Sequence, residues 1–463
     1  MHDDVFLQCR GADVVTRSGK KVMLKGVGLG GWMNMENFIT GYPATETLQR
    51  EALKKALGND GYELFFDRFL DLFFAEEDAA FLAGLGMNCV RLPVNYRHFE
   101  DDMKPFELKE EGFRILDRII ERCAKHGVYT VIDLHALPGF QNQHWHSDNP
   151  THYAFFWGQK HFQDRVVHLW EAFAKRYKDN PWVAGYNPIN EPADPTGEVI
   201  FPFYQRLHKA IRAIDPSHIL FLDGNRYSTV FDIFKEVWPN TIYTCHDYAL
   251  PGFVEGGDYP GISRGQFVDK AALEKTFLER TDYMRQTNTP IWVGEFGPVY
   301  LGNPEKDAMR YQILMDQLEI YRKHNASWSI WTYKDIGLQG LVYVDPKSAY
   351  LQRIAPVLEK KARLGTDAWG SNDAGIKDVM TPVYERFKKE FPDYNPFPFG
   401  QDNWIKTLVR NILLAEPLVE DFGKCFEGVS VKEAGALADG FAIRNCLKRE
   451  RLLKILEADA KGK

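Results

Sequence analysis

The chain has 463 residues, 44% hydrophobic and 26% charged, with 57 basic and 64 acidic side chains and a net charge of −7. That profile excludes disorder, collagen and coiled coil and describes a water-soluble globular protein. The negative balance disfavours nucleic acid or an anionic membrane as a partner.

Aromatic residues reach 14%, with 11 Trp and 21 Tyr. These side chains join an apolar face to a polar handle, which suits a ring-binding cleft. No stretch approaches the roughly 18 to 20 apolar residues that span a bilayer, so no membrane insertion is expected. The start, Met1-His2-Asp3-Asp4-Val5-Phe6, is acidic and lacks the basic segment and apolar run of a secretory leader. Six cysteines (Cys9, Cys89, Cys123, Cys245, Cys425, Cys446) are scattered without a CxxC pair, and Cys89 and Cys245 read as buried strand thiols. The sequon Asn325-Ala326-Ser327 abuts an apolar strand and reads as buried. A cytoplasmic protein is the expectation.

Short apolar runs recur along the first three-quarters of the chain, at 22–27, 88–92, 128–133, 182–186, 218–222, 241–245, 290–294 and 327–331. None alternates strictly, the pattern of strands buried on both faces of a parallel sheet. Amphipathic helical stretches lie between them, such as 112–125 with Phe113, Leu116, Ile119, Ile120 and Cys123, and 161–177 with Val166, Leu169, Trp170 and Phe173. Eight such strands with intervening helices form a closed (β/α)8 barrel more economically than an open sheet. The α/β barrel is expected over 1–345, its strands and helices from about residue 20 onward. A mainly helical extension over 346–463 then packs on the barrel or mediates homo-oligomerisation.

In such a barrel, chemistry sits at the carboxyl ends of the strands. The second strand is expected to end in Arg91 and the third in Asp133-Leu134-His135. Asn187-Pro188-Ile189-Asn190-Glu191-Pro192 follows the fourth, and His246-Asp247-Tyr248 the sixth. The seventh ends in Glu295-Phe296-Gly297 and the eighth in Trp331. Any one of these has a plain structural explanation as a turn or a strand cap. Six at one rim point to a site. Glu191 and Glu295 stand on non-adjacent strands, and two carboxylates facing each other suit glycoside hydrolysis, one protonated and one ionised.

Asn190-Glu191-Pro192 and Gly294-Glu295-Phe296-Gly297, together with Arg91-Leu92-Pro93, Asp133-Leu134-His135 and His246-Asp247-Tyr248, resemble glycoside hydrolase family 5 from about Gly26 to Trp331. The resemblance implies a retaining β-glycosidase with Glu191 as general acid/base and Glu295 as nucleophile. It implies further that Asn190 binds the sugar 2-hydroxyl, Arg91 pairs with Glu295 and Tyr248 bonds the nucleophile. His246 would steady the acid/base, Trp331 form the sugar platform and His135 complete the wall. The loop 136–148 and the segment Gly30-Gly31-Trp32-Met33-Asn34-Met35-Glu36-Asn37 are similar to exo-acting members such as the fungal exo-β-1,3-glucanases. That likeness adds Trp145 and Glu36 as substrate contacts and implies a pocket for a terminal sugar. The tail and the loop stand nearer to intracellular members that cleave short glucosides or mannosides. The expected substrate is a short β-glucoside or β-mannoside, as oligosaccharide or glycoconjugate, with no metal and no organic cofactor.

Other readings compete. Endo-action on a glucan or mannan is open within the same family. Gly26-Val27-Gly28-Leu29-Gly30-Gly31 satisfies GxGxxG, but a dinucleotide site needs a helix opening at the last glycine. Gly261-Ile262-Ser263-Arg264-Gly265 satisfies GxSxG without the preceding strand of a nucleophile elbow. His135, His144, His146, Asp148 and His246 could gather around a divalent ion in a metal-dependent barrel hydrolase. A silent sugar-binding barrel would have eroded the two glutamates, and both are present.

Overall fold

Each of the eight apolar runs forms a strand of one closed parallel barrel in the computed structural model, which describes residues 5–253, 257–263, 265–366, 369 and 374–462. The acidic start, 1–4, lies outside the described residues. In chain order the strands are β1 (Lys25–Gly28), β2 (Cys89–Asn95), β3 (Tyr129–Ala136), β4 (Val183–Asn187), β5 (Ile219–Asp223), β6 (Thr241–His246), β7 (Ile291–Glu295) and β8 (Ala326–Ile330). Each pairs with its sequence neighbours, and β8 closes on β1 with Trp328 opposite Lys25. Nearly every strand residue is buried, because one face meets the barrel core and the other meets helices. Helices Glu110–Lys125 and Lys160–Tyr177 cover the outside with Phe113, Leu116, Ile119, Val166, Leu169 and Trp170.

The two ends of the barrel differ. At the amino ends, an antiparallel hairpin (Leu7–Arg10 with Asp13–Thr16) covers the opening. Its Leu7 and Val14 join Cys89, Val131, Ile219, Phe221 and Trp292 in a separate apolar cluster, and Tyr129 Oη donates to the Val5 carbonyl at 2.9 Å. This end is sealed. The opposite end carries the long loops.

A 27-residue helix, Glu46–Leu72, lies between the first two barrel strands, an interval for which the sequence reading named no particular helix. Gly58 leaves helical geometry at φ 68°, yet the helix resumes past the kink. The burial of Phe65, Phe66, Phe69 and Leu70 outweighs the glycine's local preference. Asn325 of the sequon is half-buried rather than buried. It takes a left-handed turn at φ 55° before β8, and its amide donates to Asp13 at 3.0 Å.

Among its described residues the extension is mainly helical, and its strand Cys446–Lys448 pairs antiparallel with Val342–Val344. Asp459 accepts from Lys25 Nζ at 2.8 Å and from Trp328 Nε1 at 3.1 Å, so the last helix is tied to β1 and β8. The fully buried Lys334 ammonium donates to Asp78 at 2.9 Å and to the carbonyls of Phe73 and Phe441 at 2.6 and 2.7 Å. A desolvated cation with three acceptors is satisfied only while the extension is docked. Among the described residues, no helix is long and apolar enough to cross a membrane.

Candidate active site

The open rim gathers the carboxyl-terminal residues of the strands around one guanidinium. Arg91, 1% exposed, donates from Nη1 to Glu295 Oε1 at 2.6 Å and from Nη2 to Asn190 Oδ1 at 2.7 Å. Its Nε and Nη2 also reach Asn187 Oδ1 at 3.1 and 2.9 Å, and Nη2 lies 3.0 Å from Asp133. The planar fork serves four residues on three other strands or their ends, which a point-charge ammonium could not do. Burial by itself lowers the Arg91 pKa, but Asp133, Glu295 and Asp223 outweigh it and leave the pKa raised. The same burial pushes Asp133 and Asp223 up to about 7 against the pull of Arg91.

The two glutamates have unlike surroundings. Both oxygens of Glu295 accept, Oε1 from Arg91 and Oε2 from Tyr248 Oη at 2.7 Å. Glu191 has no cation in direct contact. Its Oε1 lies 2.6 Å from His246 Nδ1 and its Oε2 lies 3.2 Å from His146 Nε2. Burial, reinforced by the charges of Glu295, Asp223 and Glu36 and opposed by Arg91, holds the Glu191 pKa well above the usual carboxyl range. One oxygen of each glutamate and one ring nitrogen of His246 lie within 4.8 Å of one another.

Backbone geometry sets the direction of Glu191. Its φ of 46° falls in the left-handed region, disfavoured for a side chain of this size. Two hydrogen bonds hold it there. The Glu191 N–H donates to Asp223 Oδ2 at 2.9 Å, and its carbonyl accepts from Asn142 Nδ2 at 3.1 Å.

The remaining predicted contacts meet at the same place. His135 Nδ1 pairs with Asp133 at 2.7 Å and its Nε2 lies 3.3 Å from Asn190 Nδ2. Burial lowers its pKa to about 3, so the ring is neutral. Trp331 stacks on His135 with centroids 5.4 Å apart and planes at 6°. The same indole lies against Gly28 and Gly30, where an added Cβ would stand 2.5 and 2.4 Å from ring carbons. Gly30→Ala is therefore expected to displace the indole and lower kcat/KM about tenfold or more, chiefly through KM, with a cooperative thermal melt retained. Wild-type kinetics in that variant would show that the ring position is immaterial. Trp145 Nε1 donates to the buried Glu36 carboxylate at 3.2 Å, and the Glu36 charge is felt at Glu191 and Tyr248.

Several residues of this network were not singled out by sequence reasoning. Asp133 and Asn187 lie inside the quoted motifs without a role. Asp223 ends β5, and applying the strand-end criterion to the run 218–222 would have found it. Asn142 sits in the same loop as His146, which the sequence offered only as a candidate metal ligand. Trp369 comes from the extension, where its ring meets Tyr248 and Phe253 at 4.9 and 4.6 Å.

The competing motifs do not assemble. Gly26, Gly28 and Gly31 run through β1 into the rim, and the next helix opens only at Asn37. Gly261–Ser263 is one strand of a small hairpin, while Arg264 lies outside the described residues. Asp148 is engaged by Thr47, Asn95 and Arg97. Among the described residues, only Glu191, His246 and Glu295 bring three ligand-type atoms within 4.8 Å, which is not the histidine-rich set.

A family model described as cellulase (glycosyl hydrolase family 5) matches residues 57–337. A protein of Phanerodontia chrysosporium named beta-xylosidase is 46% identical over 470 residues, covering 98% of either chain. A protein of Aspergillus fumigatus named "Probable glucan 1,3-beta-glucosidase A" is 29% identical over 357 residues, 69% of this chain and 84% of its own. Among solved structures, the Clostridial cellulose synthase subunit Z from Clostridioides difficile superposes with a TM-score of 0.51 at 16% identity, covering 69% of this chain and 94% of its own. At that identity the likeness is one of fold.

Proposed function

The chain belongs to glycosyl hydrolase family 5 and is a glycoside hydrolase, and from that premise we propose that it removes one terminal β-linked sugar with retention of configuration. Glu295 attacks the anomeric carbon as the bond to the leaving oxygen breaks, and Glu191 gives that oxygen its proton. Glu191, now ionised, takes a proton from water as the water oxygen attacks the same carbon and releases Glu295. Retaining enzymes hold the two carboxyl groups about 5 to 5.5 Å apart, inverting ones wider. The observation that carries the reading is the oxygen pair within 4.8 Å, with donors converging on Glu295 and a raised pKa at Glu191. Asn190 is proposed to meet the sugar 2-hydroxyl and Trp331 to form the sugar platform, with His135, Glu36 and Trp145 as further walls. His246 steadies Glu191, and Tyr248 orients Glu295.

Enclosure supports exo-action. Glu191 and Glu295 are 8% and 5% exposed, and Trp369 and Phe399 of the extension crowd the rim against Tyr248 and Tyr227. A short glycan or glycoconjugate end fits such a site better than the middle of a polymer. For the sugar, a xyloside is placed ahead of the glucoside and mannoside, because the relative named beta-xylosidase matches through the extension as well as the barrel. A panel of aryl β-xyloside, β-glucoside and β-mannoside, with product anomers followed by NMR, tests this. We expect turnover of one arylglycoside with a β-anomeric first product, unchanged by a strong chelator, since two carboxylates need no metal or cofactor. Inverted product would overturn the mechanism, and cleavage confined to internal bonds of polymers would overturn exo-action.

A further inference from the structure

The loop after β3 runs along the turn that carries Glu191, and Gln141 is where it takes hold. Gln141 is fully buried, and every polar atom of its amide has a partner of fixed role. Its Oε1 accepts from the Leu137 N–H at 3.2 Å. Its Nε2 donates to the carbonyls of His135 at 2.6 Å and Asn190 at 3.0 Å. A backbone N–H only donates and a carbonyl only accepts, so the amide has one orientation and both its protons are engaged.

The backbone of Gln141 acts on the same turn. Its carbonyl accepts from the Ala193 N–H at 3.0 Å and from Trp157 Nε1 at 2.8 Å. Gln141 therefore grips the chain on both sides of Glu191, at the Asn190 carbonyl before it and the Ala193 N–H after it. Glu191 itself stands at φ 46°, and a left-handed residue of this size persists only where its surroundings over-determine it. We propose that Gln141 is a positioning residue for the acid: it fixes the turn 190–193 and so aims the Glu191 carboxyl at the leaving oxygen. The proposal rests on the acid/base reading of Glu191. Glu295, at the end of β7, is held instead by Arg91 and Tyr248. Loss of the Gln141 amide thus damages proton transfer more than nucleophilic attack.

The leaving group reads out that difference. A phenyl β-glycoside needs its oxygen protonated as the bond breaks, whereas a dinitrophenyl β-glycoside leaves with little help. Gln141→Met removes both amide protons at similar volume. Its kcat/KM is expected to fall about a hundredfold on the phenyl glycoside and about fivefold or less on the dinitrophenyl glycoside. A side chain that merely supported the fold would lower both alike. Equal losses on the two substrates, or no loss on either, overturn the proposal.

Gln141→Glu keeps the shape and the acceptor for Leu137, but turns an oxygen toward the two carbonyls. The same skew is expected there. If this near-isosteric variant no longer melts cooperatively, the proposal is overturned too, because the amide would then support the barrel rather than one turn of its rim. Glu191→Gln separates the two levels of the argument. If it loses equally on both glycosides, the acid/base reading fails; if it shows the skew and the Gln141 variants do not, only the Gln141 proposal fails.

Discussion

Glu295→Ala is expected to lower kcat/KM on an aryl β-glycoside by about four orders of magnitude or more. The loss is large because the bond-forming atom itself is removed, not merely a stabilising contact. What remains is a gap beneath the anomeric carbon, still facing Arg91 Nη1 and Tyr248 Oη. Azide is small and anionic and fits that gap. It is expected to restore turnover and give the glycosyl azide of inverted configuration. In Glu191→Ala the gap is on the other side. There azide is expected to give the retained product, and substrates with good leaving groups lose little in the first step because they need no proton. The opposite pairing of products would exchange the two roles. Full activity in Glu295→Ala would end the two-carboxylate account.

Removing the guanidinium at the centre of the rim is the second large effect. Arg91→Met is expected to cost about 3–5 kcal/mol of folding stability, the range for deleting one partner of a buried ionic network, and to abolish measurable turnover. Asp133, Asp223 and Glu295 would be left together without their cation. The cost has a pH signature. Burial already places Asp133 and Asp223 at about 7, and losing Arg91 raises both. A carboxyl whose folded pKa exceeds its unfolded value stabilises most at low pH, and that contribution is lost as pH rises through the folded pKa. The urea-midpoint deficit of Arg91→Met against the native chain should therefore be smaller at pH 5 than at pH 8.5. Equal deficits would show that the carboxylates do not depend on the guanidinium. Arg91→Lys is expected to recover part of the stability but little activity. One ammonium cannot reach Glu295, Asn187 and Asn190 together.

The legible part of the fold is the part in which one local pattern has one physical meaning. Runs such as 88–92 and 218–222 are too short for helices and too apolar for exposed strands, so burial on both faces is their remaining place. The hairpin over Leu7–Arg10 and Asp13–Thr16 escaped this reasoning because its strands are four residues long and only partly apolar. Helix Glu46–Leu72 has no particular counterpart in the sequence reading, and its kink at Gly58 is overridden by distant aromatic packing. At the site, strand-end position alone singles out His135, His246 and Glu295, whereas Arg91, expected to end its strand, stands within β2, which continues to Asn95. The same criterion extends to Asp223.

By itself the sequence determined the barrel and the rim on which polar groups gather, Glu191 and Glu295 among them. These follow from position along strands, and periodicity and strand ends are local properties of a chain. Tertiary structure decided how far apart those glutamates stand, which of them lacks a cation, how Gln141 bridges His135 and Asn190 and how Trp369 reaches Tyr248. Each depends on atoms brought together across long separations in the chain. Distance and solvent exclusion, which set charge and proton affinity, come into being only when the barrel closes and the extension docks.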